Sequence, residues 1–237
     1  MNQLLNDFLL ALAQTTRFDY RALSPETAAP ASPHRWPQVV VRALMGAVYL
    51  LIAALLARLI SQPVAATLLA AAAIYALHYW LTAGREARMP LLFLRNWATE
   101  PALDGPDTLG IFLQCLPALL LLALLFLDCA LWLPAILAIG TAAGRDLARP
   151  ASQHALAFDW AAWLAAFVVL FLTLICPYLG NELLRGMATR YALVVFLIAF
   201  LLTPWLRQLP RRPTGFTANS FLASVVVTLM VLLIRCL

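Results

Sequence analysis

Reactive groups are few in this chain, and arginine dominates them. All sixteen basic residues are arginine, against eleven carboxylates and three histidines, and no lysine occurs. The densest group spans residues 78–107. His78 precedes Arg85, Glu86, Arg88 and Arg95, then Glu100, Asp104 and Asp107. Arginines spaced in this way could hold phosphate oxygens through paired N–H donors, and His78 could carry a proton beside them. A second group is Gly144-Arg145-Asp146 with Arg149, His154 and Asp159, and a third is Arg211-Arg212-Pro213-Thr214-Gly215-Phe216-Thr217. Asn181, Glu182, Arg185 and Arg190 form a fourth. Each also has a plainer reading as a loop charge or a helix end with local ion pairing, and a lone histidine near a helix end is more often packed than reactive.

The elements that carry these groups are apolar runs. Hydrophobic residues make up 64% of the chain and charged residues 11%, where a soluble domain is nearer a quarter charged. A run of about 20 apolar residues crosses the hydrocarbon core as a helix. Seven such runs are expected, over 38–60, 63–82, 108–127, 130–148, 160–180, 188–206 and 216–235. The expected fold is therefore all-α, a polytopic transmembrane helix bundle of about seven spans preceded by an N-terminal interfacial amphipathic helix. Residues 1–37 would form that helix and a proline-rich linker, and 38–237 the transmembrane domain. No separate globular domain fits, and no cleavable leader is expected.

In residues 2–14, Leu4, Leu5, Phe8 and Leu12 share one helical face, while Gln3, Asn6, Asp7 and Gln14 fall largely elsewhere. This pattern suggests a helix lying in the membrane interface or packed under the bundle. Pro117, Pro134 and Pro177 fall inside proposed spans and are expected to bend them. Cys115, Cys129, Cys176 and Cys236 lack metal-ligand spacing and read as small apolar fillers. Trp36, Trp80, Trp132, Trp160 and Trp205 fall near span ends, as an aromatic belt requires.

With the N-terminus inside, twelve arginines lie on the inner side and four outside: Arg58, Arg185, Arg190 and Arg235. That bias sets an N-in, C-out orientation in a bacterial inner membrane. The formal charge of +5 is loop charge facing lipid headgroups, so no nucleic-acid partner is expected. No proposed span carries a charge near its centre, and no internal repeat is visible. Both features disfavour an ion-coupled transporter.

The order of these pieces resembles the cobalamin synthase (adenosylcobinamide-GDP ribazoletransferase) family. Its short opening helix, roughly FLLALxFLTRxPVP, is similar to FLLALAQTTRF at 8–18. Its motif HLDGLADxxDG at the end of the second span falls on residues 78–88, where His78 and Ala83 match. The three motif aspartates fall on Trp80, Gly84 and Ala87. A later DSRxGTxG has a loose counterpart from Asp107 to Phe112. A Gly/Ser-Arg pair matches Gly144-Arg145. The pattern GxTGDxxGA before the last span keeps Gly215, Thr217 and Ala223 but has Asn219 for the aspartate.

The resemblance implies a reaction in which α-ribazole or its phosphate joins adenosylcobinamide-GDP with release of GMP, using magnesium. The candidate ligand-binding residues are His78, Arg85, Glu86, Arg145, Thr217 and Asn219, of which Arg145 is the one basic group that the resemblance places in the pocket. Magnesium needs oxygen ligands, chiefly carboxylates, and four acidic positions are lost here. No catalytic residue, metal site or cofactor is therefore expected, with magnesium retained only if Glu86, Asp104 or Asp107 stands in. The expected function is a non-catalytic accessory or structural subunit, a pseudoenzyme. Its expected partners are the lipid bilayer and another membrane protein, with a phosphate-bearing or corrinoid ligand also open. The alternatives are an active transferase with a relocated magnesium site, and a small-molecule carrier unrelated to the family.

Overall fold

The structure is a computed structural model that describes residues 2–17, 36–83, 108–148, 159–175, 182–208 and 216–236. The described residues form helices and no strand. Helix α1 covers Asn2–Thr15, α2 Trp36–Leu59, α3 Pro63–Leu81 and α4 Thr108–Phe126. After a 3₁₀ turn at Ala130–Trp132 come α5, Leu133–Leu147, and α6, Trp160–Leu170, which runs on as a π-helical turn, Phe171–Ile175. Helix α7 is Glu182–Gln208 and α8 is Phe216–Cys236. Each of the seven apolar runs thus contains a helix. Among the described residues, α2, α3 and Asn219–Cys236 of α8 are long and apolar enough to cross a membrane. Cys115–Phe126, Trp160–Leu174 and Thr189–Trp205 are shorter apolar helical stretches.

Helix α5 is the axis of the bundle and packs against α2, α6, α7 and α8. Thirteen of its fifteen residues are buried. At 1.5 Å per residue it is about 22 Å long, short of the roughly 30 Å hydrocarbon core. It is a core helix sheathed by its neighbours, and Asp146 is buried within it on hydrogen bonds from Trp163 and the Asp159 backbone. Helix α2 runs antiparallel to α5, with Gly46 facing Pro134. Helix α8 does so on another side, with Gly140 against Ser224 and Gly144 against Ser220. A Cβ on Gly144 would overlap the Ser220 backbone. These glycines let two backbones approach more closely than any larger residue allows, as small residues do between helices in lipid.

Several local expectations change. Pro134 lies in the first turn of α5, where its missing N–H costs nothing and its fixed φ suits a helix start; it begins the helix rather than bending it. Pro117 lies inside α4, and Pro204 lies inside α7. The π-turn at 171–175 falls just before Pro177 in sequence, where a proline ring would disrupt the ladder of the preceding turn. Pro177 itself and Cys176 lie outside the described residues. Helix α3 stops where the Thr82 N–H and hydroxyl both return to the His78 carbonyl, at 2.9 and 2.8 Å. Ala83 follows with φ 53°, the left-handed conformation that commonly ends helices.

The N-terminal helix packs on α2, but with its faces reversed. Leu4 and Leu5 are 57% and 58% exposed, while Asp7, Ala11, Thr15 and Thr16 are buried. Asp7 was expected on the polar, outward side, and the structure corrects that. The end of the bundle under α1 is polar, so α1 turns Asp7 and Thr15 inward and Leu4 and Leu5 out, while Asn6 and Gln14 stay exposed. Elsewhere the surface is apolar: Leu51, Leu59 and Leu201 are among many large side chains more than half exposed. Trp80, Trp160 and Trp205, at or near helix ends, are exposed as well. Cys129 is buried, and its thiol donates to the Leu127 carbonyl at 3.4 Å. Burial pushes that thiol above its ordinary pKa, with Arg235 opposing, so it is a neutral filler at physiological pH.

The α5–α8 contact generates the first prediction. Gly144→Ala should cost about 1–3 kcal/mol, as overpacking does, and lower the melting temperature in detergent. An exposed control, Ala72→Gly, should lose only the roughly 1 kcal/mol of helix propensity. Equal losses would mean that the close approach is not a tight one.

Candidate functional site

At the end of the bundle where α2 begins and α5 ends, polar side chains are buried together. Gln38, Arg42, Asp146, Asn219 and Ser220 are each 5% exposed or less, and Asp7 is 7% exposed. Antiparallel packing puts them there. The first turns of α2 and α8 and the last turn of α5 end at one level, and α1 covers α2.

Arg145 stands in the last turn of α5, where the helix dipole favours a cation. Its Nε donates to Gln38 Oε1 at 2.7 Å. Gln38 Nε2 in turn donates to Gln14 Oε1 of α1. The chain Arg145–Gln38–Gln14 therefore links the centre of the bundle to its first helix. It uses both polar ends of the Gln38 amide, which can both donate and accept.

Asp146, the next residue, faces another way. Its Oδ2 accepts the Trp163 indole N–H at 2.6 Å, and its Oδ1 accepts the Asp159 backbone N–H at 3.0 Å. Asp159 caps α6 through Ala162 N at 3.3 Å. Trp163 is held edge-on by Phe196 and Phe200, with ring centroids 5.5 and 5.1 Å away. Asp146 thus bonds directly to α6 through both of its oxygens. Helix α5 carries a cation turned to α1 and α2 and an anion turned to α6 and α7.

The residues singled out from sequence fall as follows. Arg145 and Asn219 lie at the same level of the bundle, since their sequence neighbours Gly144 and Ser220 meet there. Asn219 is 2% exposed. Thr217 lies in the first turn of α8, where only the backbone is described. His78 is not in the Arg145 cluster. Its Nδ1 lies 2.9 Å from the Tyr49 hydroxyl, with the two rings edge-to-face at 5.8 Å. Tyr49 is eleven residues beyond Gln38 on α2, about 16 Å along its axis. His78 instead borders a cavity of about 110 Å³ that Phe221 and Ser224 of α8 also line. Arg85, Glu86, Asp104, Asp107, Arg149, His154 and Arg211 lie outside the described residues. Among the described residues, no three histidine, cysteine or carboxylate side chains are grouped as metal ligands.

Sequence reasoning missed Gln38, Gln14 and Asp7 as members of this cluster. One signal was available for Gln38. An uncharged amide among Val39, Val40 and Val41, opening an apolar helix, must find hydrogen bonds inside the protein. Ser220 shows the cost of close packing, since its buried Oγ makes no hydrogen bond. Comparison with protein-family models, curated proteins and solved structures finds no match for this chain.

The Arg145–Gln38 bond can be measured directly. A hydrogen bond to a charged group contributes about 1.5–3 kcal/mol. Arg145→Ala, Gln38→Ala and the double variant form a cycle whose coupling energy in detergent unfolding should lie at about 1 kcal/mol or more. Additive losses would mean that the two groups do not depend on each other.

Proposed function

We propose that this chain is a multi-pass bacterial inner-membrane protein on a cobalamin-synthase-like scaffold, with about seven spans, and that it serves as a non-catalytic accessory or structural subunit. The observation that carries this reading is the engagement of Arg145. On the resemblance it is the basic group of the ligand pocket, yet its Nε is taken by Gln38, which is itself tied to Gln14. A guanidinium used as an internal strut is suited to holding helices together. His78 pairs with Tyr49, and Asn219, at a motif aspartate position, offers a neutral amide where magnesium would need a carboxylate. The apolar outer surface of α2, α3 and α7 supports lipid as the first partner and a second membrane protein as the next.

Three measurements test this reading. The purified chain should show no saturable magnesium binding and release no GMP when given a nucleotide-linked corrinoid and α-ribazole phosphate, and it should co-purify with one membrane protein in mild detergent. GMP release abolished by Glu86→Gln would overturn it in favour of a transferase with a displaced metal site. For topology, a reporter active only outside the membrane should give signal when fused at Leu237 and none when inserted near Ala98. Reversed signals would refute the orientation.

A further inference from the structure

Two of the described cysteines come to the same end of the bundle, opposite the Arg145 cluster. The α5–α8 contact sets the register. Gly140 faces Ser224 and Gly144 faces Ser220, so each step forward along α5 is a step back along α8. Followed to the start of α5, this antiparallel register brings the last turn of α8 to the turn between α4 and α5. A hydrogen bond joins the two there: Arg235 Nε of α8 donates to the Leu127 carbonyl at 3.3 Å. The same carbonyl oxygen accepts the Cys129 thiol at 3.4 Å. The Cys129 sulfur and the Arg235 side chain therefore converge on one atom, and Cys236 follows Arg235 in the chain.

The two thiols differ in access. Cys236 is exposed and Cys129 is buried. Burial raises the Cys129 pKa, Arg235 lowers it, and Asp128 and Cys236 raise it again. Cys236 is thus near enough to act on the charge of Cys129. The thiolate is the reactive form, so a neutral buried thiol is inert alone, whereas an exposed one meets reagents from outside. A disulfide needs Cα atoms about 4.4–6.8 Å apart. The last carbonyls of a helix have no partner within it, so the final turn of α8 can adjust to that spacing. The contact it gives up is the exposed bond from Arg235 to Leu127.

We propose that Cys129 and Cys236 are a redox pair that closes into a disulfide and fastens α8 to the α4–α5 turn. The proposal rests on the orientation proposed above, which puts this end outside the inner membrane, where disulfides form and persist. The oxidant is an external disulfide. The Cys236 thiolate attacks one of its sulfurs, forming a mixed disulfide and expelling one thiolate. Cys129 then loses its proton, and its sulfur attacks the Cys236 sulfur and expels the second thiolate. The external disulfide takes up two electrons and two protons and leaves as two thiols. Burial opposes the second step, and the Arg235 guanidinium favours it by stabilising the Cys129 thiolate as it forms.

The full-length chain, purified in mild detergent, would be incubated with oxidised glutathione, blocked with N-ethylmaleimide and digested for peptide mapping by mass spectrometry. A cross-linked peptide joining Cys129 to Cys236 should appear. Because the bridge closes a long loop, the melting temperature should rise by roughly 5 °C and fall back with dithiothreitol. Cys236→Ser, at an exposed position, should remove both the bridge and the shift and leave Cys129 unmodified. Cys129→Ser should leave glutathione trapped on Cys236. A glutathione adduct on Cys236 that never resolves in the unmodified protein, or a bridge from either thiol to Cys115 instead, would overturn the proposal. Labelling spheroplasts with a membrane-impermeant maleimide separates the two levels. Cys236 labelled from outside, with no bridge on oxidation, removes the pair alone. Cys236 labelled only after the inner membrane is opened removes the orientation on which the pair rests.

Discussion

The rest of the bundle depends on one constraint, the placement of two adjacent charges, Arg145 and Asp146, at the end of its most enclosed helix. In an apolar interior, a charge without partners costs several kcal/mol. Neighbouring helices therefore bring specific polar groups to that level. Helix α2 brings Gln38, α6 brings Trp163 and the Asp159 N–H, and α1 brings Gln14 to complete the Gln38 amide. Adjacent residues on a helix point about 100° apart, so the cation and the anion serve different neighbours.

The glycines make the same arrangement possible from the other side. Gly140 and Gly144 are four residues apart and present a flat face to Ser224 and Ser220 of α8. Without them α8 would stand further from α5, and the level occupied by Asn219 and Ser220 would open. Close approach and polar pairing are thus alternative ways of holding α5, one on each side of it. The unbonded Ser220 Oγ marks where the first was favoured at the expense of the second. Small residues on this contact gain backbone proximity, the main source of helix association once the surroundings are as apolar as the side chains.

Much of this fold was legible in the sequence, because its helices are written in long apolar runs. The starts of α3, α4, α6 and α8 fall on the first residue of their expected spans. The interior was much less legible. Runs rich in leucine and alanine carry little periodicity to show which face is buried, so α5 could not be told from a lipid-facing span. Its distinguishing marks were Gly140, Thr141, Gly144, Arg145 and Asp146 crowded into one segment. The reversed face of α1 was hidden for a similar reason. An amphipathic stripe predicts the inward face only where the interior is apolar, and under α1 it is polar. Of the site residues, Arg145 and Asn219 were legible as lying at one level only through the order of motifs. Gln14 and Gln38 were not, because a long-range pair of amides leaves no trace in local pattern.

The two ends of the bundle consequently differ in kind. At the Arg145 end, polar groups from α1, α2, α5, α6 and α8 are buried within the chain, many of them bonded to one another, and a ligand would first have to displace Gln38 from the guanidinium. That exchange is unfavourable unless the incoming group is a stronger acceptor than an amide, which a phosphate is. At the Asp128 end the charged groups are exposed, Arg235 reaching across to the Leu127 carbonyl at 3.3 Å, and the space between α2 and α3 is bordered by small side chains, Ala53, Ala57, Ala66 and Ala70 among them.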